Sequence, residues 1–462
     1  VTDVETEGTA ISAVQALIDA LPDADSITED NVENVTSQLD TIDEAKAELS
    51  DADMSQLDLT RYDAASDKVM VLMGMKEEND SEIAVQANDT FTVEECKHEG
   101  VEITFNSNGF GNCPKCNATV YQPAVETTDK YDIDNDSMKE TVYEISNAGQ
   151  LYWFAGLVNG TLDGIEQNTL ANAVLTANIT VNENLLDSLQ YDTEGNVSNG
   201  SDFITWTPIA DWMGNRTTQY SGTFDGNNKT VSGLYFNGDS TCIGLFGSSE
   251  SDGNIKNVGV VDSYFKGNDH VGGVCGNNAG TITNCYNAGN LTAIESSATI
   301  GGICGYNNGG TVTNCYNTGT VTATGSVASV GGVCGCSTEL ILNCYNIGTV
   351  TATSSSADIS GICGYNFGPI KNCYYLADTE DENGGKTAAQ FASGEIAYLL
   401  SQGCTVGEGE DAVTYSGSVW GQNLATENYP LLNGKTVYQV DSYEGCIGNP
   451  GNSTKVYSNT NA

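Results

Sequence analysis

The second half of the chain repeats a unit of about 29 residues, and this repeat limits the available folds more than any other feature. A Gly-x-x-Gly element recurs, and its third positions, from Phe246 through four cysteines, lie 29, 29, 30 and 29 residues apart. A unit this short cannot bury its own apolar face, whereas stacked units form one continuous core. We therefore expect a parallel β-solenoid, whose successive turns lie one strand spacing apart, about 4.8 Å. The elements are Gly244–Gly247, Gly273–Gly276, Gly302–Gly305, Gly332–Gly335 and Gly361–Gly364.

Two further elements recur inside the units. One is Asn-Cys-Tyr-Asn, and the other is a short run of threonine and small apolar residues, so each turn offers short strands between glycine and asparagine corners. Glycine tolerates positive φ, and asparagine tolerates left-handed backbone and can stack in hydrogen-bonded ladders. The period is too short for a propeller blade, which needs about 40 residues or more. The elements are Asn284–Asn287, Asn314–Asn317, Asn343–Asn346 and Asn372–Tyr375, with Leu291–Ala293, Thr320–Ala323 and Thr349–Ala352.

Two columns of cysteines run through the repeat, 10 or 11 residues apart within each unit. The first unit lacks both and has Phe246 and Val258 near those positions. Joint presence and joint absence predict one disulfide per turn, and closing a loop of this size stabilises by roughly 2–3 kcal/mol. The alternative is two ladders of buried free thiols, because cysteine packs well as a small apolar residue. The predicted pairs are Cys275 with Cys285, Cys304 with Cys315, Cys334 with Cys344, Cys363 with Cys373, and Cys404 with Cys446, leaving Cys242 and Cys336 free.

One tyrosine per turn follows the second cysteine column. If exposed, these rings form an aromatic ladder with the flat surface that stacks on sugar rings. The alternative is that the tyrosines pack against their stacked neighbours and stiffen one side of the solenoid. The four residues are Tyr286, Tyr316, Tyr345 and Tyr374.

The repeat also resembles a known family. Gly-x-x-Gly followed by Asn-Cys-Tyr-Asn is similar to the GLUG repeat of secreted and surface proteins of Gram-positive, often gut, bacteria. The resemblance covers roughly residues 140–440 and implies a surface-protein β-solenoid without a catalytic motif. Family units commonly have valine or alanine where the first cysteine column stands, so these cysteines depart from the pattern. The matching stretches ahead of the repeat are Ile145–Leu151, Trp206–Ile209 and Tyr220–Gly226.

Residues 1–75 predict three short amphipathic helices with acidic outer faces. Apolar residues recur at helical spacing, and Pro22 and Gly74 end the first and third stripes. Three helices of this size pack as a small bundle. The stripes are Val14, Leu17, Ile18 and Leu21, then Val32, Val35, Leu39, Ile42 and Leu49, then Tyr62, Ala65, Val69 and Leu72.

Residues 76–125 predict a linker and a zinc-ribbon-like module. Cys96 and His98 precede a tight knuckle formed by Cys113 and Cys116, and four ligands of these types suit a tetrahedral, structural zinc ion. An Asn-Gly turn signal between the two pairs favours a hairpin that would bring them together. The alternative is a disulfide between two of the three cysteines.

An acidic run follows, in which Asp132, Asp134 and Asp136 alternate and Glu140 lies four residues on. Alternating carboxylates resemble the start of a calcium loop, although Ser137 stands where such loops carry glycine. The sequence leaves two interpretations of this run, an ordinary acidic turn and a calcium site.

The remaining boundaries complete a multidomain chain. Residues 126–240 predict a cap, with a helix around Leu151–Val158, and the first turns, because an uncovered solenoid end would expose core and unpaired backbone. Residues 241–377 hold the repeat, and residues 378–462 predict a C-terminal cap and tail with a second capping helix.

Charge and cysteine content indicate where the protein works. The net charge is −46 with 16 basic residues, which argues against nucleic acid and anionic membranes as partners, because both need basic patches. No apolar run is long enough to predict a transmembrane helix. The 15 cysteines favour an oxidising setting, either extracellular or at a cell surface.

These features predict an extracellular structural or adhesive surface protein, with a filament subunit as a specific version. Its partner would be an extracellular protein, a glycan, or further copies of itself. Residues 271–375 carry only four charged side chains, whereas glycan cleavage needs paired carboxylates, so we expect no enzyme activity. The alternatives are a carbohydrate-binding module that uses the tyrosine ladder and a polysaccharide-degrading β-helix enzyme.

Overall fold

The computed structural model describes most of the chain from residue 102 onward and parts of the region before it. It separates into two units, Val1–Val93 and Glu94–Ala462. The described residues are 14–22, 26–28, 31–47, 61–62, 65, 68–69, 102–134, 136–213, 216–407, 412–440, 447–448 and 456–460.

The N-terminal unit has helical segments around a small apolar core. Residues 14–19 are helical, and helix α1 spans Val32–Ala47. Apolar residues at helical spacing are buried together, as an amphipathic stripe requires. The three-helix bundle as a whole stays a prediction, because much of residues 1–75 lies outside the described residues. The buried cluster contains Val14, Ile18, Leu21, Ile27, Val35, Leu39, Ile42, Ala65 and Val69.

The second unit opens with two antiparallel hairpins. Strand β1 (Phe110–Asn112) pairs with β2 (Thr119–Tyr121), and β3 (Val125–Tyr131) pairs with β4 (Glu140–Ile145). Strand β4 then pairs in parallel with the strand at 172–175 and so joins the hairpin to the solenoid sheet.

Helix α2 (Ala148–Asn159) covers the N-terminal end of the solenoid. The side chain of Asn147 caps it by accepting a hydrogen bond from the backbone N–H of Gln150, and Gly160 ends it at φ 69°. The helix is buried on all sides from its first residue to its last but one. A helix this apolar all round belongs inside a protein, and α2 shares one continuous core with the turns that follow.

The first turns follow α2. Most of their short strands stack in parallel on the sheet that the hairpin began, whereas the strands at 212–213 and 216–217 form a separate antiparallel pair. The elements are β5 (Asn172–Leu175), β6 (Ile179–Thr180), α3 (Leu185–Ser188), a 3-10 helix (Gly200–Asp202), β7 (Trp212–Met213), β8 (Arg216–Thr217), β9 (Thr223–Ser232) and β10 (Tyr235–Asn237).

The repeat forms the predicted parallel β-solenoid, and that prediction is confirmed. Each strand pairs in register with its equivalent one unit later, so Phe246 lies opposite Cys275, and Cys275 opposite Cys304. The strands are β11 (Phe246–Ser249), β12 (Asn254–Gly267), β13 (Val271–Gly272), β14 (Cys275–Asn278), β15 (Thr281–Thr283), β16 (Tyr286–Ala293), β17 (Thr299–Gly301), β18 (Cys304–Asn307), β19 (Thr311–Thr313), β20 (Tyr316–Asn317), β21 (Val321–Ala323), β22 (Ser329–Gly331), β23 (Cys334–Ser337), β24 (Ile341–Leu342), β25 (Tyr345–Asn346), β26 (Val350–Ala352), β27 (Asp358–Ser360), β28 (Cys363–Asn366), β29 (Ile370–Lys371), β30 (Tyr374–Leu376) and β31 (Gly385–Lys386).

Asparagine ladders join successive turns. The Nδ2 of Asn287 donates to Oδ1 of Asn317 at 2.8 Å, and Asn317 donates to Asn346 at 2.9 Å. Because these amides are buried, each bond replaces one to water that the side chain has lost. A corner column adopts left-handed backbone, with φ of 56°, 52°, 52° and 50° at Asn284, Asn314, Asn343 and Asn372.

The C-terminal segment lies along the side of the solenoid. Phe391 and Trp420 share a buried cluster with Tyr345, and Asn433 donates to Asn228 of the first turns at 2.8 Å. The segment predicted to cap the end therefore covers a flank, because the tyrosine column offers it an apolar strip there. Its elements are α4 (Ala388–Ala392), α5 (Glu395–Ser401), β32 (Cys404–Val406), β33 (Val413–Tyr415), β34 (Trp420–Gly421), β35 (Leu431–Leu432), β36 (Tyr438–Val440), β37 (Ile447–Gly448) and β38 (Val456–Ser458).

Among the helices described here, none is both long and apolar enough to cross a membrane.

Candidate functional site

The cysteine knuckle lies in the turn that joins β1 to β2. The backbone N–H of Cys113 donates to the carbonyl of Ala118 at 2.9 Å, and Asn117, at φ 59°, donates back to Cys113 at 2.8 Å. Cys113 is buried and Cys116 is exposed. Because Cys96 and His98 lie outside the described residues, the zinc site stays a prediction.

The knuckle hairpin is fixed to helix α2 by close backbone contact. The backbone N–H of Gly149 donates to the carbonyl of Asn108 at 2.7 Å. A Cβ at position 149 would lie 1.9 Å from the carbonyl oxygen of Gly109, so only glycine fits this approach. The first hairpin is therefore held against the cap and cannot shift without disturbing it.

The acidic run forms a compact loop between β3 and β4. One ligand oxygen from each of Asp132, Asp134, Asp136 and Glu140 lies within 4.8 Å of the others. Ser137 adopts φ 74°, the left-handed conformation that glycine supplies in a calcium loop. The structure therefore brings together the carboxylates that the sequence singled out.

Local hydrogen bonds hold this acidic loop in shape. Asp132 accepts from the backbone N–H of Ser137 at 3.1 Å, and Glu140 accepts from Ile133 at 2.7 Å. Ile133 is buried beneath the loop, where it packs with Val142 and anchors the loop to β4. The three aspartates remain exposed, so hard oxygen ligands face solvent on a fixed backbone, an arrangement that suits Ca²⁺.

The tyrosine ladder forms, but it does not face solvent. Tyr286 stacks on Tyr316 with ring centroids 4.8 Å apart, and Tyr316 stacks on Tyr345 at 5.0 Å. Tyr345 is 0% exposed, its hydroxyl donates to the carbonyl of Pro430 at 2.5 Å, and Trp420 packs across the rings. The predicted sugar-binding surface is therefore wrong, because the C-terminal segment covers this column, including much of Tyr374.

The column cysteines are free thiols in the structure, in place of the predicted disulfides within each turn. Parallel register sets each cysteine beside its equivalent in the next turn, and the backbone N–H of Cys315 donates to Sγ of Cys344 at 3.4 Å. Each thiol of the second column also donates to a carbonyl of its own turn, as Cys285 does to Thr283 at 3.3 Å. Burial raises the pKa of Cys334 well above its ordinary value, which keeps that thiol protonated and unreactive.

The fifth predicted disulfide would join Cys404 and Cys446. Cys404 is half-buried at the start of β32, and Cys446 lies outside the described residues. Their pairing therefore stays a prediction. Cys242 is a buried free thiol, as expected, and burial raises its pKa to about 12.

One surface was missed by the sequence interpretation, namely the open end of the solenoid, formed by strands β26 to β29. Within the described part of the chain, each of these strands pairs only with the turn before it. Ile359 continues a column whose previous member, Val330, is 0% exposed, yet Ile359 is 50% exposed. An open cavity of about 900 Å³ lies here, with Ile362 and Ile370 in its wall.

A signal for this end was present in the last repeat. Ser360 stands where earlier turns have glycine, Tyr375 stands opposite Asn346, and Phe367 follows Thr338 by one period. These substitutions break the pattern only in the final turn, and they mark where stacking stops.

Comparison with known proteins gives short or distant matches. The GLUG motif matches residues 296–322, so the chain is a β-solenoid protein that carries a GLUG motif. A protein named halomucin, from Haloquadratum walsbyi (strain DSM 16790 / HBSQ001), is 33% identical over 89 residues, which are 19% of this chain and 1% of halomucin. The chain thus spans about a hundredth of that relative, and the expected Gram-positive origin stays a prediction.

A solved structure from Bacteroides ovatus, described as a candidate immunoglobulin A1 protease, aligns with a TM-score of 0.43 and 17% identity. The alignment covers 63% of this chain and 92% of that chain. Because that description names an enzyme, we withdraw the expectation that the present chain is not one. A likeness of this size says nothing about activity or substrate here.

Proposed function

We propose that the protein is an extracellular structural or adhesive surface protein whose solenoid is a rigid scaffold. The observation that carries this proposal is the unbroken in-register stacking of turns from β11 to β28. Each turn binds the next through backbone bonds, amide ladders and a shared core, so bending would break many contacts together. The GLUG motif and the likeness to halomucin support an extracellular setting.

The scaffold would display its flanks and its open end to partners. The net charge of −46 repels other copies and attracts basic partners or cations. A filament that grows by end-to-end stacking is disfavoured, because helix α2 covers one end. We therefore favour single rods over the filament version.

Surface exposure and shape can be tested together on the source cells. Protease treatment of intact cells should remove the protein while a cytosolic marker survives, and electron microscopy of purified material should show short, separate rods. Retention after protease treatment would contradict the surface location. Periodic fibres would favour the filament version instead.

A second proposal is that the acidic loop binds calcium. The four convergent carboxylates, together with the left-handed backbone at Ser137, are the observations that favour it. Calcium there would neutralise charge that the loop otherwise concentrates.

The third proposal is the structural zinc ion of the knuckle. The tight turn that carries Cys113 and Cys116 supports it. Native mass spectrometry of the whole chain should show one zinc ion, which a Cys113→Ser substitution removes and an exposed Ser107→Ala control does not. An unchanged metal content in Cys113→Ser would contradict this site.

A further inference from the structure

The open end has the physical properties of an uncompleted core. Column members that are fully buried in earlier turns, such as Ile300 and Val330, are followed by the half-exposed Ile359. Phe367 is 67% exposed, and Tyr365 lies against it with ring centroids 4.8 Å apart. Exposed apolar side chains that contact one another, as Tyr365 and Phe367 do, mark an interaction surface.

The backbone hydrogen bonding between turns is also incomplete at this end. In the preceding turn, the N–H groups of Val333 and Cys334 donate to the carbonyl of Ile362 at 2.9 and 3.0 Å. In the last turn, the equivalent N–H groups of Ile362 and Cys363 turn to the hydroxyl of Ser360, at 3.2 and 3.3 Å. The hydroxyl of Ser360 thus accepts from two backbone N–H groups. An added strand could replace the hydroxyl, because its carbonyl groups would accept from the same two N–H groups.

The charge around the open end selects the kind of strand. Residues 358–386 contain five acidic and two basic side chains, and one of the two, Lys386, pairs with Glu380. Glu382 lines the cavity, and Asp358 lies exposed on β27. The cavity wall carries isoleucines, and Asp358 and Glu382 form an acidic rim. This combination matches an extended segment that alternates apolar and basic residues.

We propose that the open end binds an extended, basic segment of another polypeptide, which adds as a β-strand beside β27 and β28. Alternate apolar side chains enter the cavity over Ile359 and Ile362, and the lysine or arginine side chains reach the acidic rim. Strand addition of this kind gains affinity from main-chain hydrogen bonds and specificity from alternate side chains.

A second copy of this chain fits the open end less well. Two copies joined at their open ends would bring two acidic rims face to face. A head-to-tail contact would set the open end against helix α2, which offers no strand edge. Strand binding at the open end does not depend on the proposed surface role, because the purified protein would bind the segment whatever its location in the cell.

Fluorescence anisotropy with synthetic peptides tests this inference at near-physiological salt, where weak surface attraction is screened. The probe is a labelled heptapeptide that alternates valine and lysine. One comparison peptide has glutamate for lysine, and another has proline at two valine positions, which removes backbone donors. We expect the first to bind and the other two to bind at least tenfold more weakly.

Matched variants of the protein locate the site. Ile359→Asp and Phe367→Asp should each weaken binding at least tenfold, whereas Val327→Asp, at a side chain 59% exposed elsewhere on the solenoid, should not. Circular dichroism melting confirms that each variant folds. The double variant Asp358→Lys/Glu382→Lys should prefer the glutamate peptide.

Three results would overturn the inference. One is equal binding of the lysine and proline peptides, which indicates charge attraction alone. Another is binding that Ile359→Asp leaves unchanged. The third is a concentration-dependent dimer, seen by analytical ultracentrifugation and lost in Ile359→Asp, which makes a second copy the occupant.

Discussion

The core of the solenoid is covered at its N-terminal end and exposed at its C-terminal end. At the N-terminal end, helix α2 and the aromatic residues around it cover the core completely, and Phe154 is 0% exposed. At the C-terminal end, the core stops in the open, and a single serine hydroxyl serves two backbone donors. An end that is closed contributes stability, whereas an end left open leaves room to bind.

The difference also explains where the C-terminal segment lies. That segment has its own apolar residues to bury, and the stacked tyrosines offer a continuous strip along the flank. Among the described residues, the segment packs there and adds no strand beyond β26 to β29. Position in the chain is therefore a poor guide to which surface a terminal segment protects.

The largest expected effect comes from one pair of equal substitutions, one at each end. Phe154→Ala should cost about 3–5 kcal/mol of unfolding free energy, because it empties a packed site against Tyr220 and Phe224. Phe367→Ala, at the open end, should change it by about 0.5 kcal/mol or less. Urea unfolding of both variants measures the difference, and equal losses would show that the open end is covered.

A second pair compares an inner turn with the last turn at one column position. Gly331→Ser would place a Cβ 1.8 Å from the carbonyl oxygen of Cys334, and it should cost about 1–3 kcal/mol or more. Ser360→Gly should cost under about 1 kcal/mol, because the two freed donors can bind water. If both substitutions cost the same, Ser360 is not marking the end of stacking.

The fold of the repeat could be predicted from its period, because a fixed spacing in the sequence places equivalent residues in ladders along a solenoid. The same reasoning brought Asp132, Asp134 and Asp136 to one loop, since close neighbours in sequence stay close in space. The predicted exposure of the tyrosine column was wrong, because the column is buried by residues near Trp420, about 75 positions further along the chain than Tyr345. Long-range packing of this kind leaves no local pattern to read.

The predicted disulfides within each turn differ from the structure for another reason. Correlated presence fits both a disulfide within a turn and stacking between turns, so the sequence could not separate them. The structure has the thiols free, and each lies opposite its equivalent in the next turn. The position of Cys363 at the open end then gives the next test.

Alkaline pH should weaken the open end through Cys363. Burial raises the pKa of this thiol from 9.0 to about 12. The folded state therefore keeps a proton that the unfolded chain loses above about pH 9, and stability falls as pH rises from 9 to 12. The loss is about 1.4 kcal/mol per pH unit for this thiol.

Unfolding at pH 8, 9 and 10 measures this loss against a variant without the thiol. The free energy by which wild type exceeds Cys363→Ala should shrink over this range, while other thiols cancel between the two proteins. A difference that does not change with pH would mean that Cys363 titrates normally in the folded state and that the open end is wet.

The smallest expected effect is at the closed end, where calcium would bind the acidic loop beside β4. At a calcium concentration equal to Kd, ligand binding adds about 0.4 kcal/mol to the unfolding free energy. Hydrogen exchange should slow in β3, β4 and α2 and stay unchanged in β27 and β28, because the loop joins the hairpin that continues into the cap. Asp134→Asn/Asp136→Asn should abolish terbium luminescence on titration, and Asp239→Asn, an exposed carboxylate elsewhere, should not. Luminescence that survives the double substitution would leave the four carboxylates as an ordinary acidic turn, and the closed end would then owe its stability to packing alone.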